Sequence, residues 1–270
     1  MKIILSHDVD HISVWEHRKD MLIPKHIMRS AIEFSLNFIT FSEVVKRLND
    51  IIKNKWNNLD ELIKYDKAND IPSTFFFGVR NGMLLTYPLS DVNYWATKVF
   101  REGLNAGVHG ISFDDLTEIR KEYNSFAEIT KKNKIGIRMH YLRSNKKTLA
   151  NLAEAGYQFD SSLPILRAPF KISNLWEFPL HIMDGNILSR NGHWQDQTLE
   201  QAKIHTEKII SKGLKLDLKY LTILFHDRYF SDSFITWKKW YMWTIEYLQL
   251  NRFEFISFDD AVLELEKVHS

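Results

Sequence analysis

Two carboxylates and two imidazoles stand within five consecutive residues, His7-Asp8-Val9-Asp10-His11, directly after the apolar run Ile3-Ile4-Leu5. Side chains of an extended strand alternate between its faces, so Asp8 and Asp10 share one face. Like charges held that close repel unless a cation lies between them or one stays protonated. A solvated turn with a helix cap is the plain alternative, and the apolar strand in front argues against it. Three further apolar runs end in imidazole: Val108-His109, Ile135-Gly136-Ile137-Arg138-Met139-His140, and Leu221-Thr222-Ile223-Leu224-Phe225-His226. A fourth, Phe159-Asp160-Ser161-Ser162, ends in a carboxylate. A lone histidine at a strand end is usually structural. Two of them sharing a mouth with Asp10 form a ligand set, in which Asp10, His109 and His140 with an open water position suit Zn²⁺ or a similar divalent ion. Such an ion polarises a carbonyl and makes a nucleophile of water at neutral pH. A second carboxylate then serves as base, and a separate imidazole such as His226 as acid. The chemistry is metal-assisted hydrolysis of an amide or ester.

The elements that must position these residues alternate along the chain. Strand-like runs occur at 2–6, 73–79, 106–109, 135–140, 157–160, 220–226 and 253–257. Helical patterns fill 41–54, 58–69, 90–105, 112–132, 145–155, 198–212, 234–250 and 258–268. About seven such units predict an α/β fold, a distorted parallel (β/α) barrel whose functional side chains gather where strands end. Thr198 with Gln201 reads as a capping box, and Ser112 as the cap of the helix that follows it. The segment 15–56 is longer than a simple connection and is expected to cover one face. Prolines and glycines make 164–196 an irregular connection with a short strand near 176–179. No repeat or low-complexity linker appears, so residues 1–270 are read as one domain.

Composition limits the partners. The 36 basic and 34 acidic residues nearly cancel, which argues against nucleic acid. The absence of cysteine removes disulfides and thiolate ligands, leaving His, Asp and Glu for any metal. No apolar run is long enough to span a bilayer, and the N-terminus is strand-like rather than a signal core, so a cytoplasmic location is expected.

Taken in order, these residues resemble the polysaccharide deacetylases of the NodB-homology type. The family's first motif, Thr-Phe-Asp-Asp-Gly, corresponds to Ser6-His7-Asp8-Val9-Asp10, and Ile71-Pro72-Ser73-Thr74-Phe75-Phe76 is similar to its Ile-Pro-Ala-Thr-Phe-Phe strand. The second motif, His-Ser/Thr-x-x-His, begins at His109; the arginine of Arg-x-Pro falls on Arg138, the fourth motif's aspartate near Asp160, and Leu-x-Leu-His on Leu224-Phe225-His226. The resemblance implies a metal-dependent deacetylase in which Asp8 is the base, Asp10 a metal ligand, Arg138 the group that orients Asp8, and His226 the acid. Two departures matter: the second metal histidine should fall where Phe113 stands, and the motif proline is replaced by His140. The expectation is that His140 supplies the missing imidazole, with Asp114 as rival. Residues 7–11, 138–143, 157–163 and 177–184 also resemble a divergent branch linked with bacterial capsule or O-antigen assembly, which implies an N-acetylated sugar or glycan as substrate.

Around this site, Tyr141, Arg143 and Trp194 are read as substrate contacts, with a surface salt bridge the alternative for Arg143. The stripe Trp237, Trp240, Tyr241 and Tyr247 is read as packing. His7 and His11 are expected to hold a site carboxylate, whereas His17, His26, His205 and His269 are treated as ordinary. Two other readings compete: a metal-free glycoside hydrolase using Asp8 or Asp10, and a deacetylase-like carbohydrate-binding protein without catalysis, for which Phe113 is the main argument.

Overall fold

The computed structural model describes residues 1–269, except for the side chain of His269, whose reading therefore lies outside the described residues. One sheet carries the chain. Its strands are β1 (Lys2–Val9), β2 (Thr74–Phe77), β3 (Asn105–Gly110), β4 (Gly136–Met139), β5 (Phe159–Asp160), β6 (Phe170–Ile172), β7 (Leu175–Glu177), β8 (Ile182–Met183), β9 (Tyr220–Leu224) and β10 (Glu254–Phe255). They lie in the order β6-β7-β5-β4-β3-β2-β1-β9-β8, with β10 also paired to β1. Every ladder is parallel except the β6–β7 hairpin at one edge. The parallel barrel expected from the alternation is therefore present in a distorted form. The ring is open: β6 and β8 are its two ends, with no ladder between them among the described residues.

Among the described residues ten α-helices accompany the strands: α1 (Leu22–Ser35), α2 (Phe41–Ile52), α3 (Leu59–Ala68), α4 (Leu89–Arg101), α5 (Leu116–Thr130), α6 (Thr148–Ala155), α7 (Asp184–Leu188), α8 (Leu199–Lys215), α9 (Ile235–Leu250) and α10 (Phe258–His269). The capping box of Thr198 and Gln201 is formed at the start of α8. The cap of α5 is Asp115, not Ser112: the Asp115 carboxylate accepts from the N–H groups of Thr117 and Glu118. Ser112 is used otherwise, its hydroxyl accepting from Arg80 and its N–H donating to Glu122. The span 164–196 is more regular than its prolines suggested, because the turn at Ser173 (φ 56°) closes a hairpin between β6 and β7.

The alternation of β1 shows how the sheet divides its faces. Ile3, Leu5 and Val9 join the apolar layer under the helices, together with Phe75, Phe77 and Ile223. Ile4 points to the other side, into a cluster of Phe76, Phe159, Phe178, Tyr220 and Phe258. That cluster closes one end of the half-barrel, with the Phe159 and Phe258 rings stacked at 4.4 Å. On the same face, Ser6 and Asp8 follow Ile4 toward the strand's C-terminal end, so the interior changes from apolar to polar along a single strand.

Candidate active site

Asp10, His109 and His140 are set beside one another by neighbouring strand ends. β3 pairs with β4 so that His109 lies opposite Arg138, and Asp10 follows the last residue of β1. The ligand atoms of the three side chains lie within 4.8 Å of one another. His109 Nε2 is 2.9 Å from His140 Nδ1, and Asp10 Oδ1 is 3.2 Å and 3.4 Å from these two nitrogens. The far nitrogen of each ring faces a backbone carbonyl. His109 Nδ1 is 3.0 Å from the oxygen of Arg138, and His140 Nε2 is 3.0 Å from that of Met83. A carbonyl only accepts, so each far nitrogen carries a proton; with both rings neutral the near nitrogens present lone pairs to each other, and with either ring protonated a near nitrogen donates toward its neighbours. Asp10 Oδ1 is buried and makes no hydrogen bond.

Two lone pairs and an orphaned carboxylate oxygen facing one another require positive charge between them. Bonds of about 2.0–2.1 Å to a tetrahedral Zn²⁺ put ligand atoms roughly 3.3–3.5 Å apart, close to the separations here. The donor set therefore fits a divalent cation. Proton affinities express the same need. Burial works against ionisation of Asp10, but His109 and His140 outweigh it and hold its carboxyl well below the usual range. Burial likewise lowers the pKa of His109, while Asp8 and Asp10 overcome it and raise it.

The backbone beside His140 is strained. Tyr141 (φ 56°) and Leu142 (φ 51°), which follow it, and Met83 (φ 50°) and Leu84 (φ 74°), which present its acceptor, all lie in the left-handed region without being glycine. Such conformations persist where surrounding contacts over-determine them, commonly at functional sites. Asp114 is exposed and stands outside the cluster; the expectation that it rivals His140 is not met.

Asp8 sits one layer deeper. Its Oδ1 accepts from Arg138 Nη1 at 3.1 Å, and its Oδ2 is 3.8 Å from His109 Nε2. Arg138 is fully buried, donating to the Ser6 hydroxyl, the Ser161 carbonyl and the Ser161 hydroxyl, with its guanidinium 4.7 Å above the Phe76 ring. Opposite, His226 Nδ1 is 2.8 Å from Asp184 Oδ1, and its Nε2 is 3.7 Å from Asp10 Oδ2. Burial lowers the His226 pKa, but Asp184 and, behind it, Asp10 and Asp8 push it well above the ordinary histidine value.

A cavity of about 340 Å³ opens onto these groups and is lined further by Arg29, Tyr141, Tyr229 and Trp237. Tyr141 thus lines the cavity. Other contacts depart from expectation. Trp194 lines a neighbouring cavity instead. Arg143 is outside the lining, stacked 4.2 Å over Phe113. Trp237 packs as expected but also contributes to the wall. His7 does bind a carboxylate, though it is that of Asp66 on α3 at 2.8 Å, because its odd position on β1 turns it to the helix side. His11 packs edge-on to His17 at 4.6 Å and does not reach a site carboxylate.

Asp160 is fully buried and takes no part in lining the cavity. It lies opposite Glu177 across the β5–β7 ladder and accepts from Ser162, while Ser161 between them holds Arg138. Sequence reasoning missed Asp184, Glu177 and the Met83 carbonyl. Asp184 and Glu177 both fall within residues 177–184, but nothing in their spacing marked a role.

The fold is shared with solved structures. A provisionally named polysaccharide deacetylase from Mycobacterium smegmatis superposes with a TM-score of 0.67 at 14% identity, covering 99% of this chain and 91% of that one. The allantoinase PuuE gives 0.63 at 14%, with 99% and 90% covered. A CE4 family pseudoenzyme from Bacillus anthracis gives 0.50 at 9%, with 97% and 65% covered. No protein-family model matches the chain, and no curated protein matches its sequence. The chain has the polysaccharide deacetylase fold, and at these identities the likeness speaks to architecture alone.

Proposed function

We propose that this protein removes the N-acetyl group from an acetamido sugar in surface-polysaccharide biosynthesis, with Asp10, His109 and His140 holding a divalent cation, Zn²⁺ by the nature of the donors. The observation that carries the reading is the pair of carbonyl-anchored imidazoles facing each other at 2.9 Å beside the unpartnered Asp10 oxygen. When bound, such a cation polarises a carbonyl and lowers the pKa of water. The chain's own groups supply the proton transfers. Asp8, steadied by Arg138, takes a proton from the attacking water, and His226, gripped at Nδ1 by Asp184, donates one from Nε2 to the departing amine nitrogen. The C–N bond breaks, leaving acetate and a free amino sugar. Tyr141, exposed at the cavity, offers an apolar face to the sugar ring.

Phe113, standing where a motif histidine was expected, favours a second reading: a sugar-binding protein of this fold without catalysis. A glycoside hydrolase is less well supported, because the carboxylates lining the cavity, Asp8 and Asp10, both come from the end of one strand. The test is metal content by mass spectrometry on protein purified without chelators, in wild type and His140→Ala, followed by acetate release from acetamido sugars. About one ion per chain with turnover, both lost in the variant, supports the deacetylase. Sugar binding without metal, even after zinc is added, supports the second reading.

A further inference from the structure

Helices α1 and α2 are amphipathic in the reverse sense. A helix lying on a globular core turns its apolar stripe inward. In α1 the buried residues are His26, Ser30 and Glu33, while Ile27, Met28 and Phe34 are exposed. In α2 the buried residues are Glu43 and Arg47, whereas Phe41, Val45, Leu48 and Ile52, one stripe at helical spacing, are 66%, 49%, 40% and 78% exposed. The inward polar faces fix this orientation. Glu33 binds Arg47 at 2.5 Å and Arg29 at 2.7 Å and accepts the N–H of Gln195, while Arg47 donates to the Ser233 carbonyl and lies over the Phe234 ring. Turning either helix over would strip a buried ion pair of its partners, which is strongly destabilising. The Phe34 and Phe41 rings, 6.1 Å apart, join the two stripes into one patch.

Within residues 15–53 the exposed charges have one sign, while the exposed Asp232 and Glu61 stand across the cleft beside Lys46 and Asp50. Arg18, Lys19, Lys25 and Lys53 are exposed, while Glu16, Asp20, Glu33, Glu43 and Asp50 are buried or half-buried. Among the described residues 15–53, no acidic side chain is exposed. Apolar side chains in a cationic rim complement anionic headgroups over an acyl layer. A second copy of the chain fits less well, since self-apposition would bring like charges together. No helix among the described residues is long and apolar enough to cross a membrane, so the element would lie on the surface. The neighbouring cavity, about 490 Å³ and lined by Lys25, Met28 and Trp194, shares Arg29 and His193 with the cavity above Asp10. The exposed Met28 of α1 therefore lines a cavity that adjoins the one above Asp10. We propose that the α1–α2 hairpin docks the protein on an anionic phospholipid bilayer, with Phe34, Phe41, Val45, Leu48 and Ile52 entering the boundary between headgroups and acyl chains.

The test is co-sedimentation of the full chain with vesicles of phosphatidylcholine alone and of phosphatidylcholine with about one-third phosphatidylglycerol, alongside sedimentation equilibrium without lipid. The wild type is expected to partition at least about tenfold more strongly onto the anionic vesicles. Leu48→Asp with Ile52→Asp should lower that partition at least about tenfold with an unchanged thermal midpoint, because both side chains are exposed. Ile52→Gln alone, at the most exposed position, should lower it several-fold should the double variant fold poorly. Lys19→Glu with Lys53→Glu should remove the preference for anionic lipid. Absence of vesicle binding by the wild type, or binding undiminished by the apolar substitutions, overturns the proposal. A dimer that these substitutions dissociate, without vesicle binding, would assign the face to a second copy instead.

Discussion

Asp184 holds His226 from two directions: its Oδ2 accepts the His226 backbone N–H at 2.8 Å, and its Oδ1 accepts from Nδ1 at 2.8 Å. The first contact fixes where the residue starts and the second fixes its ring, so Nε2 is the nitrogen left for the cavity. Carboxylate–imidazole pairs of this kind set tautomer and orientation. Replacing Asp184 with Asn keeps the size but removes the charge that favours the protonated ring. Acetate release by Asp184→Asn should fall by about 10²-fold, while metal content stays at the wild-type level. Loss of metal together with activity would show that Asp184 supports the ligand set, not His226.

Arg138 connects three strands through one guanidinium. It donates to Ser6 and Asp8 on β1 and to Ser161 just beyond β5, from its own place on β4. Lysine supplies a point charge and cannot span that set. Arg138→Lys should therefore unfold at lower urea concentration, by about 2–4 kcal/mol for buried polar groups left unpaired. Equal stability in the two proteins would mean that water or a shift of Ser161 replaces the lost bonds.

How much of this was legible follows from what local pattern can carry. Strand ends bearing His109, His140, His226 and Asp8-Val9-Asp10 stood out because polar groups interrupt apolar runs, and the parallel fold brings those ends together. The cap of α5 was misread because Ser112 and Asp115 are both good caps, and only the tertiary contacts of Ser112 with Arg80 and Glu122 decide between them. Asp184 was not legible as the partner of His226, because 42 residues separate them and β8 pairing with β9 creates the contact. The Met83 carbonyl is a backbone group and carries no side-chain signal at all. The reversed polarity of α1 and α2 was hidden for another reason: periodicity reveals that a helix is amphipathic but not which face turns inward.

Gly136 opens β4 at the point where the Phe159 ring crosses it. A Cβ there would lie 1.9 Å from Phe159 Cζ, and β5 pairs directly at this register. The ring cannot retreat, since it is stacked on Phe258 at 4.4 Å and edge-on to Phe178 at 6.2 Å. Gly136→Ala should destabilise by about 3 kcal/mol or fail to accumulate as folded protein, the outcome for overpacked cores. The compensating pair Gly136→Ala with Phe159→Leu should recover part of that loss in a denaturant titration. No recovery would locate the intolerance in the backbone.

Glu177 and Asp160 face each other across the β5–β7 ladder, both fully buried, with Arg138 nearby. Burial, then the charge of Asp160, raises the Glu177 pKa well above its usual 4.5. Burial raises that of Asp160 as well. The folded protein thus keeps a proton on the pair that the unfolded chain has already released. For an acid whose folded pKa is raised, the stabilising contribution is complete below the unfolded value of 4.5. It declines as pH climbs from there through the folded pKa, because the native state then binds more protons than the unfolded one. Glutamine at 177 carries a permanent N–H in place of the shared proton and can still accept from the Leu163 N–H, which Glu177 does at 3.1 Å. Thermal midpoints of wild type and Glu177→Gln, measured at about pH 4.5 and pH 8, should therefore diverge. The variant gains on the wild type as pH rises, since other titrating groups cancel in the difference. A difference that stays constant across that range would mean the two carboxyls do not share a proton in the folded state.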